Sequence, residues 1–139
     1  MHKWYFDDIP LNQPRTTKDY VVPEEEMVAF ARRWDPLPIH TDRKAAEASP
    51  PGSLIAPASY TISLASALVQ ELDPDIAFIG GLEWKTRFTA PVRPGDCLVA
   101  TCQCVEKRAS STKPGRGVAR FMTTMRNQRG EVVITSEMI

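Results

Sequence analysis

Apolar positions along this 139-residue chain recur at two different periods, helical in the first half and alternating in the second. Met27, Phe30, Ala31 and Trp34 fall on one helical face, with Arg32 and Arg33 opposite. Pro23-Glu24-Glu25-Glu26 supplies the start of that helix, with proline placed early and carboxylates at the positive end of the dipole. It ends at Asp35, because Pro36 disfavours helical geometry in the residue before it. Pro38 predicts an extended stretch, Thr41 or Asp42 caps a short helix over 43–48, and Pro50-Pro51-Gly52 stops it. A longer helix, roughly 59–72, is apolar on nearly every side and terminates at Asp73-Pro74.

From Leu82 onward the alternation is that of half-buried strands. Leu82, Trp84, Thr86 and Phe88 share one face, and Glu83, Lys85 and Arg87 form a solvated one. Trp84 and Phe88 are therefore expected in the core. Pro91 to Asp96 reads as a turn, 97–105 as a strand, 110–117 as a hydroxyl- and glycine-rich loop, and 118–126 as a further strand. Asn127-Gln128-Arg129-Gly130 turns the chain into a last strand over 132–138. Helices first and strands after predict an α+β fold with an antiparallel sheet. A helix apolar all round must be enclosed, and four or five strands curling round it give the hotdog arrangement. Such a unit leaves sheet edges uncovered, so a homodimer is expected.

Composition narrows the function. The length gives a single domain, 1–139, at globular averages of 42% hydrophobic and 24% charged residues. Seventeen basic residues against 17 acidic ones leave no surplus for nucleic-acid phosphates or a membrane surface. The uncharged run from Ala48 to Gln70 is interrupted by Pro50, Pro51, Gly52 and Pro57, so its helical part is too short to span a bilayer. The opening MHKWYFDDIP has no apolar leader region. Cys97, Cys102 and Cys104 form no CxxC, and His2 and His40 are the only histidines, so no metal site is expected. Reduced cysteines fit a cytoplasmic protein.

The segment that could do chemistry is Asp35-Pro36-Leu37-Pro38-Ile39-His40. An acid and an imidazole lie five residues apart on a loop that two prolines stiffen, a base beside its orienting group. The same spacing also suits a helix-ending acid and a hydrogen-bonded polar histidine, and spacing alone leaves both readings open. Residues 29–48, AFARRWDPLPIHTDRKAAEA, closely resemble the hydratase motif of the MaoC-like family of (R)-specific enoyl-CoA hydratases and acyl dehydratases. PVRPGD (91–96), SSTKPGRG (110–117) and NQRGEVV (127–133) resemble that family's turns and hairpins.

The resemblance implies a hotdog homodimer acting on acyl thioesters of coenzyme A or of acyl carrier protein, without a cofactor. Asp35 and His40 match the acid and histidine that hold and activate a water. Ala58 stands where the family usually has a glycine whose backbone N–H polarises the thioester carbonyl. Ser66 matches a serine near the acid. Trp34, Leu37 and Pro57-Ala58 depart from the family's usual Gly, Asn and His-Gly. The implied reaction is reversible hydration of a trans-2-enoyl thioester to the (R)-3-hydroxyacyl thioester. Lys113 and Arg116 are candidate contacts for coenzyme A phosphates, although a plain hairpin loop is the simpler account of them. Two rival functions are a hotdog acyl-CoA thioesterase and a non-catalytic acyl-CoA-binding subunit. Between Glu47 and Glu71 there is no carboxylate to serve as a thioesterase base.

Overall fold

The structure, a computed structural model, describes residues 3–139, so His2 lies outside the described residues. Three two-residue strands open the chain: β1 (Lys3–Trp4), β2 (Arg15–Thr16) and β3 (Tyr20–Val21). Helices α1 (Glu24–Trp34), α2 (Pro38–Thr41), α3 (Arg43–Glu47) and α4 (Ala58–Gln70) follow. Then come β4 (Asp75–Ile76), β5 (Trp84–Phe88), β6 (Cys97–Ala109), β7 (Gly117–Arg126) and β8 (Val132–Met138).

The main sheet has the order β2-β6-β7-β8-β5, with β3 also pairing β6, and every one of these pairings is antiparallel. Burial alternates strictly along the first eight residues of β6, placing Leu98, Ala100, Cys102 and Cys104 inward. A register shift between Cys104 and Glu106 bends the strand, and it continues past the expected end at 105. The tightest core comprises Met27 from α1, Leu98 and Met125 from the sheet, Val133 and Ile134 from β8, and Val22 and Pro57 from loops.

Three expectations are corrected, and one that was left open is settled. Pro38 does not hold the chain extended: it opens the single turn of α2, because its fixed φ and missing N–H suit the first helical position. The cap of α3 is Asp42, whose Oδ1 accepts from the Ala45 N–H at 3.1 Å. Trp84 and Phe88 are not core, at 51% and 47% exposure, because β5 is the edge of the sheet. Likewise α4 is wrapped on one side only. Tyr60, Thr61, Leu64, Ala65 and Leu68 are buried, whereas the stripe Ser59, Ser63, Ala67 and Gln70 is open to solvent. Among the described residues no helix is long and apolar enough to cross a membrane.

Candidate active site

Asp35 caps the carboxyl end of α1, at φ −157° and ψ 73°, its N–H still donating to the Ala31 carbonyl at 2.9 Å. Leu37 N–H donates to the Asp35 carbonyl and His40 N–H to the Leu37 carbonyl, each at 2.9 Å. These tight turns close the five-residue separation. His40 Nε2 lies 3.6 Å from Asp35 Oδ2, with the imidazole buried and the carboxylate side chain 37% exposed.

Two bonds clamp this loop to the chain just before α4. Ile55 N–H donates to the Ile39 carbonyl at 3.2 Å, and His40 Nδ1 is 2.7 Å from the Ile55 carbonyl. A carbonyl oxygen only accepts, so Nδ1 carries the proton and Nε2 of the neutral ring presents its lone pair toward Asp35. Two acceptors 3.6 Å apart do not bond each other directly. They can share a donor, and a water beside the gap can donate one O–H to each. Ala58, the first residue of α4, is exposed, and its N–H has no carbonyl one turn back to meet.

Sequence reasoning missed the struts behind this arrangement. The turn before β6 is built on Asp96, 4% exposed, whose Oδ2 accepts the Arg93 N–H at 2.9 Å and Oδ1 accepts Gln128 Nε2 at 3.0 Å. Arg93 then donates from Nε to Ser53 Oγ at 2.8 Å and from Nη2 to the Pro51 carbonyl at 3.3 Å. Ala56 N–H meets the Val92 carbonyl at 2.8 Å. An aspartate three residues after Arg93 in a proline turn is the signal that could have shown this. On the other flank, Glu26 of α1 accepts from Tyr20 Oη at 2.5 Å and Tyr60 Oη at 2.9 Å, bracing α1 against the start of α4. The hydrogen bond to Glu26 pushes Tyr20 from 10.0 up to about 12, and burial, then Glu26, pushes Tyr60 up further.

The remaining sequence candidates lie elsewhere. Ser66 is eight residues beyond Ala58, about 12 Å along the helix axis. It lines a cleft between α4 and the sheet to which neither Asp35 nor His40 contributes. Lys113 and Arg116 sit on the exposed β6–β7 loop, where Ser110 Oγ accepts the Lys113 N–H at 3.1 Å. That tip is the far end of the thirteen-residue β6 from the Asp96 turn, about 40 Å of strand. Within one chain neither cation reaches the Asp35–His40 pair. The Cys102 and Cys104 thiols are pushed up by burial, which leaves them unreactive.

An antiparallel sheet curled over a long helix, with an acid and an imidazole beside the helix's amino end, places the protein in the hotdog class. The chain belongs to the MaoC-like domain family, whose profile matches residues 6–124. The match begins at Phe6, so it takes in part of the opening segment that carries no legible motif. The structure is similar to that of the MaoC-like dehydratase from Rhodospirillum rubrum, with 28% identity and a TM-score of 0.90 over 97% of this chain and 93% of that one. It is also similar to the monoamine oxidase regulatory protein from Archaeoglobus fulgius, with 30% identity and a TM-score of 0.86 over 100% of this chain and 95% of that one. R-hydratase PhaJ1 from Pseudomonas aeruginosa shares the fold, at 24% identity and a TM-score of 0.78 over 96% and 82% of the two chains. Comparison with curated proteins gives no significant match.

Proposed function

We propose that the protein is a hydro-lyase that adds water to trans-2-enoyl thioesters of coenzyme A, or of acyl carrier protein, and catalyses the reverse dehydration. The observation that carries this reading is the 3.6 Å gap between His40 Nε2 and Asp35 Oδ2, with Nδ1 engaged by the Ile55 carbonyl. A water donating one hydrogen to each acceptor is held with its oxygen lone pairs outward, toward C3 of the substrate. As the water oxygen bonds to C3, its proton passes to the pair, and the C2–C3 π electrons shift toward the thioester oxygen. The pair then returns the proton to C2, so water is consumed whole and no cofactor enters the balance. The Ala58 N–H and the positive end of α4 stabilise the enolate oxygen. The (R) configuration of the product is the one that the family resemblance implies. Exposed Trp84 and Phe88 on edge strand β5 support a homodimer that covers them.

The test follows enoyl absorbance and free thiol together, with crotonyl-CoA as substrate. Hydration without thiol release is expected, and Asp35→Asn and His40→Ala each lower kcat by about 10²–10⁴. Thiol released from a saturated acyl-CoA would make the protein a thioesterase instead. A second reading, an acyl-CoA-binding subunit without turnover, is favoured by Ala58 at the family's glycine position and by Trp34 and Leu37, 64% and 51% exposed, flanking Asp35. Tight binding with no turnover under all conditions would establish it.

A further inference from the structure

The cleft that Ser66 lines has an unusual far end. Its walls are largely apolar: Ile62, Ala65 and Val69 from α4, Phe121 and Ile134 from the sheet. Ala58, Ile62, Ser66 and Val69 are spaced four, four and three residues apart, so they form a continuous stripe along the helix. A chain attached to a carbonyl at the Ala58 N–H is thus led along α4 into the cleft, whose wall begins at Ile62, about one turn on.

At the side of the cleft remote from Ala58 stands Arg15, half-buried on the short strand β2. Its Nη1 donates to the Pro74 carbonyl at 2.7 Å, and the Trp4 ring covers the guanidinium at 4.6 Å. These contacts fix the group in place but do not neutralise it. Among the described residues no carboxylate lies within 4.0 Å of it, and no protein oxygen takes its other guanidinium N–H groups. The acid that shares the cleft, Asp75, is already paired with Lys3 Nζ at 3.3 Å. The local balance is therefore one positive charge, with donors to spare, held against an apolar wall. A half-buried cation is costly unless an anion meets it.

We propose that Arg15 is a specificity-determining residue and that the preferred thioesters carry an acyl chain ending in a carboxylate. This rests on the enoyl-thioester reading above and adds the substrate class to it. The carboxylate accepts from the guanidinium N–H groups that Pro74 leaves unused, and the methylenes fill the Ile62–Val69 wall. Thr123 and Ser136, which line the same cleft, add hydroxyls on the sheet side.

The experiment compares two probes of equal length, trans-2-tetradecenoyl-CoA and trans-2-tetradecenedioyl-CoA, whose extended chains match the roughly 16 Å of helix between Ala58 and Val69, by the ratio of their kcat/KM values within each variant. In the unmodified protein the dicarboxylate is expected to be favoured by about tenfold to a hundredfold, the usual range for a charge-assisted hydrogen bond. Arg15→Gln is expected to abolish that preference, while Arg15→Lys, which keeps the charge, retains part of it. Because the ratio is taken within each variant, a loss of folded protein cancels. A methyl-terminated chain preferred by the unmodified protein, or a ratio unmoved by Arg15→Gln, overturns the proposal. Calorimetric binding of tetradecanoyl-CoA and tetradecanedioyl-CoA separates the two claims. Equal affinities overturn the role of Arg15, whether or not hydration is seen. Selective binding of tetradecanedioyl-CoA without hydration of either enoyl probe upholds that role and removes the hydro-lyase reading alone.

Discussion

The two ends of α4 are built on different physical terms. At the amino end the imidazole and the segment it leans on are tied to the main chain. His40 Nδ1 meets the Ile55 carbonyl, Ile55 and Ala56 are pinned on both sides, and the Arg93–Asp96 turn braces the segment from behind. Backbone partners do not rotate, so they hold geometry to within fractions of an ångström, which proton transfer demands. Toward the carboxyl end α4 faces a cleft whose walls are side chains, with a single guanidinium not matched by an acid. Side-chain walls set which molecules enter and leave the reacting geometry untouched. The comparison teaches that rate and selectivity are separable here. Changes at the amino end should alter kcat for all substrates alike, and changes around the cleft should alter the ranking of substrates.

Deleting the Ala58 donor is the sharpest way to break that comparison. Ala58→Pro removes the N–H at the first helical position, where proline is tolerated, and Pro57, at ψ 149°, already has the extended geometry that a following proline requires. The expected outcome is a fall in kcat of about 10²–10³ for short and long enoyl-CoA alike, with an unchanged melting curve. A change confined to KM would show that the donor is not aimed at the developing charge.

Asp96→Ala strikes the brace instead of the chemistry. It leaves the Arg93 N–H and the Gln128 amide without their acceptor in a buried turn. Urea unfolding should show about 1–3 kcal/mol lost, with kcat falling only as the loop before α4 loosens.

The smallest effect concerns the Tyr20–Glu26–Tyr60 brace. Tyr20 titrates from 10.0 when unfolded up to about 12 when folded, so the native state keeps its proton where the unfolded state loses it. The stability this contributes is complete below pH 10 and declines as pH rises from 10 to 12. Tyr20→Phe should flatten that decline in a pH series of melting temperatures, with neutral-pH activity little changed.

Much of this was legible in the sequence wherever a local pattern carried it. The limits of α1 follow from Pro23, the three glutamates and Pro36, and the family resemblance marked Asp35 and His40 as a pair, whereas the helical turn at Pro38 between them was not foreseen. What escaped was decided by distant partners. β1, β2 and β3 are two residues long, too short for any period, and exist because β4 and β6 offer them hydrogen bonds. Trp84 and Phe88 alternate as core residues do, yet their exposure depends on β5 being an edge. Arg15 carried no signal at all, since its surroundings come from Trp4 and Pro74, remote in the chain.

The imidazole's anchor is a carbonyl oxygen, which every amino acid possesses. No replacement at position 55 can therefore delete that anchor, and the exposed residues between 40 and 55 can change identity. Their number is not free. The stretch from 40 to 55 acts as a ruler, and an insertion or deletion within it would unseat the histidine without altering any chemically active group.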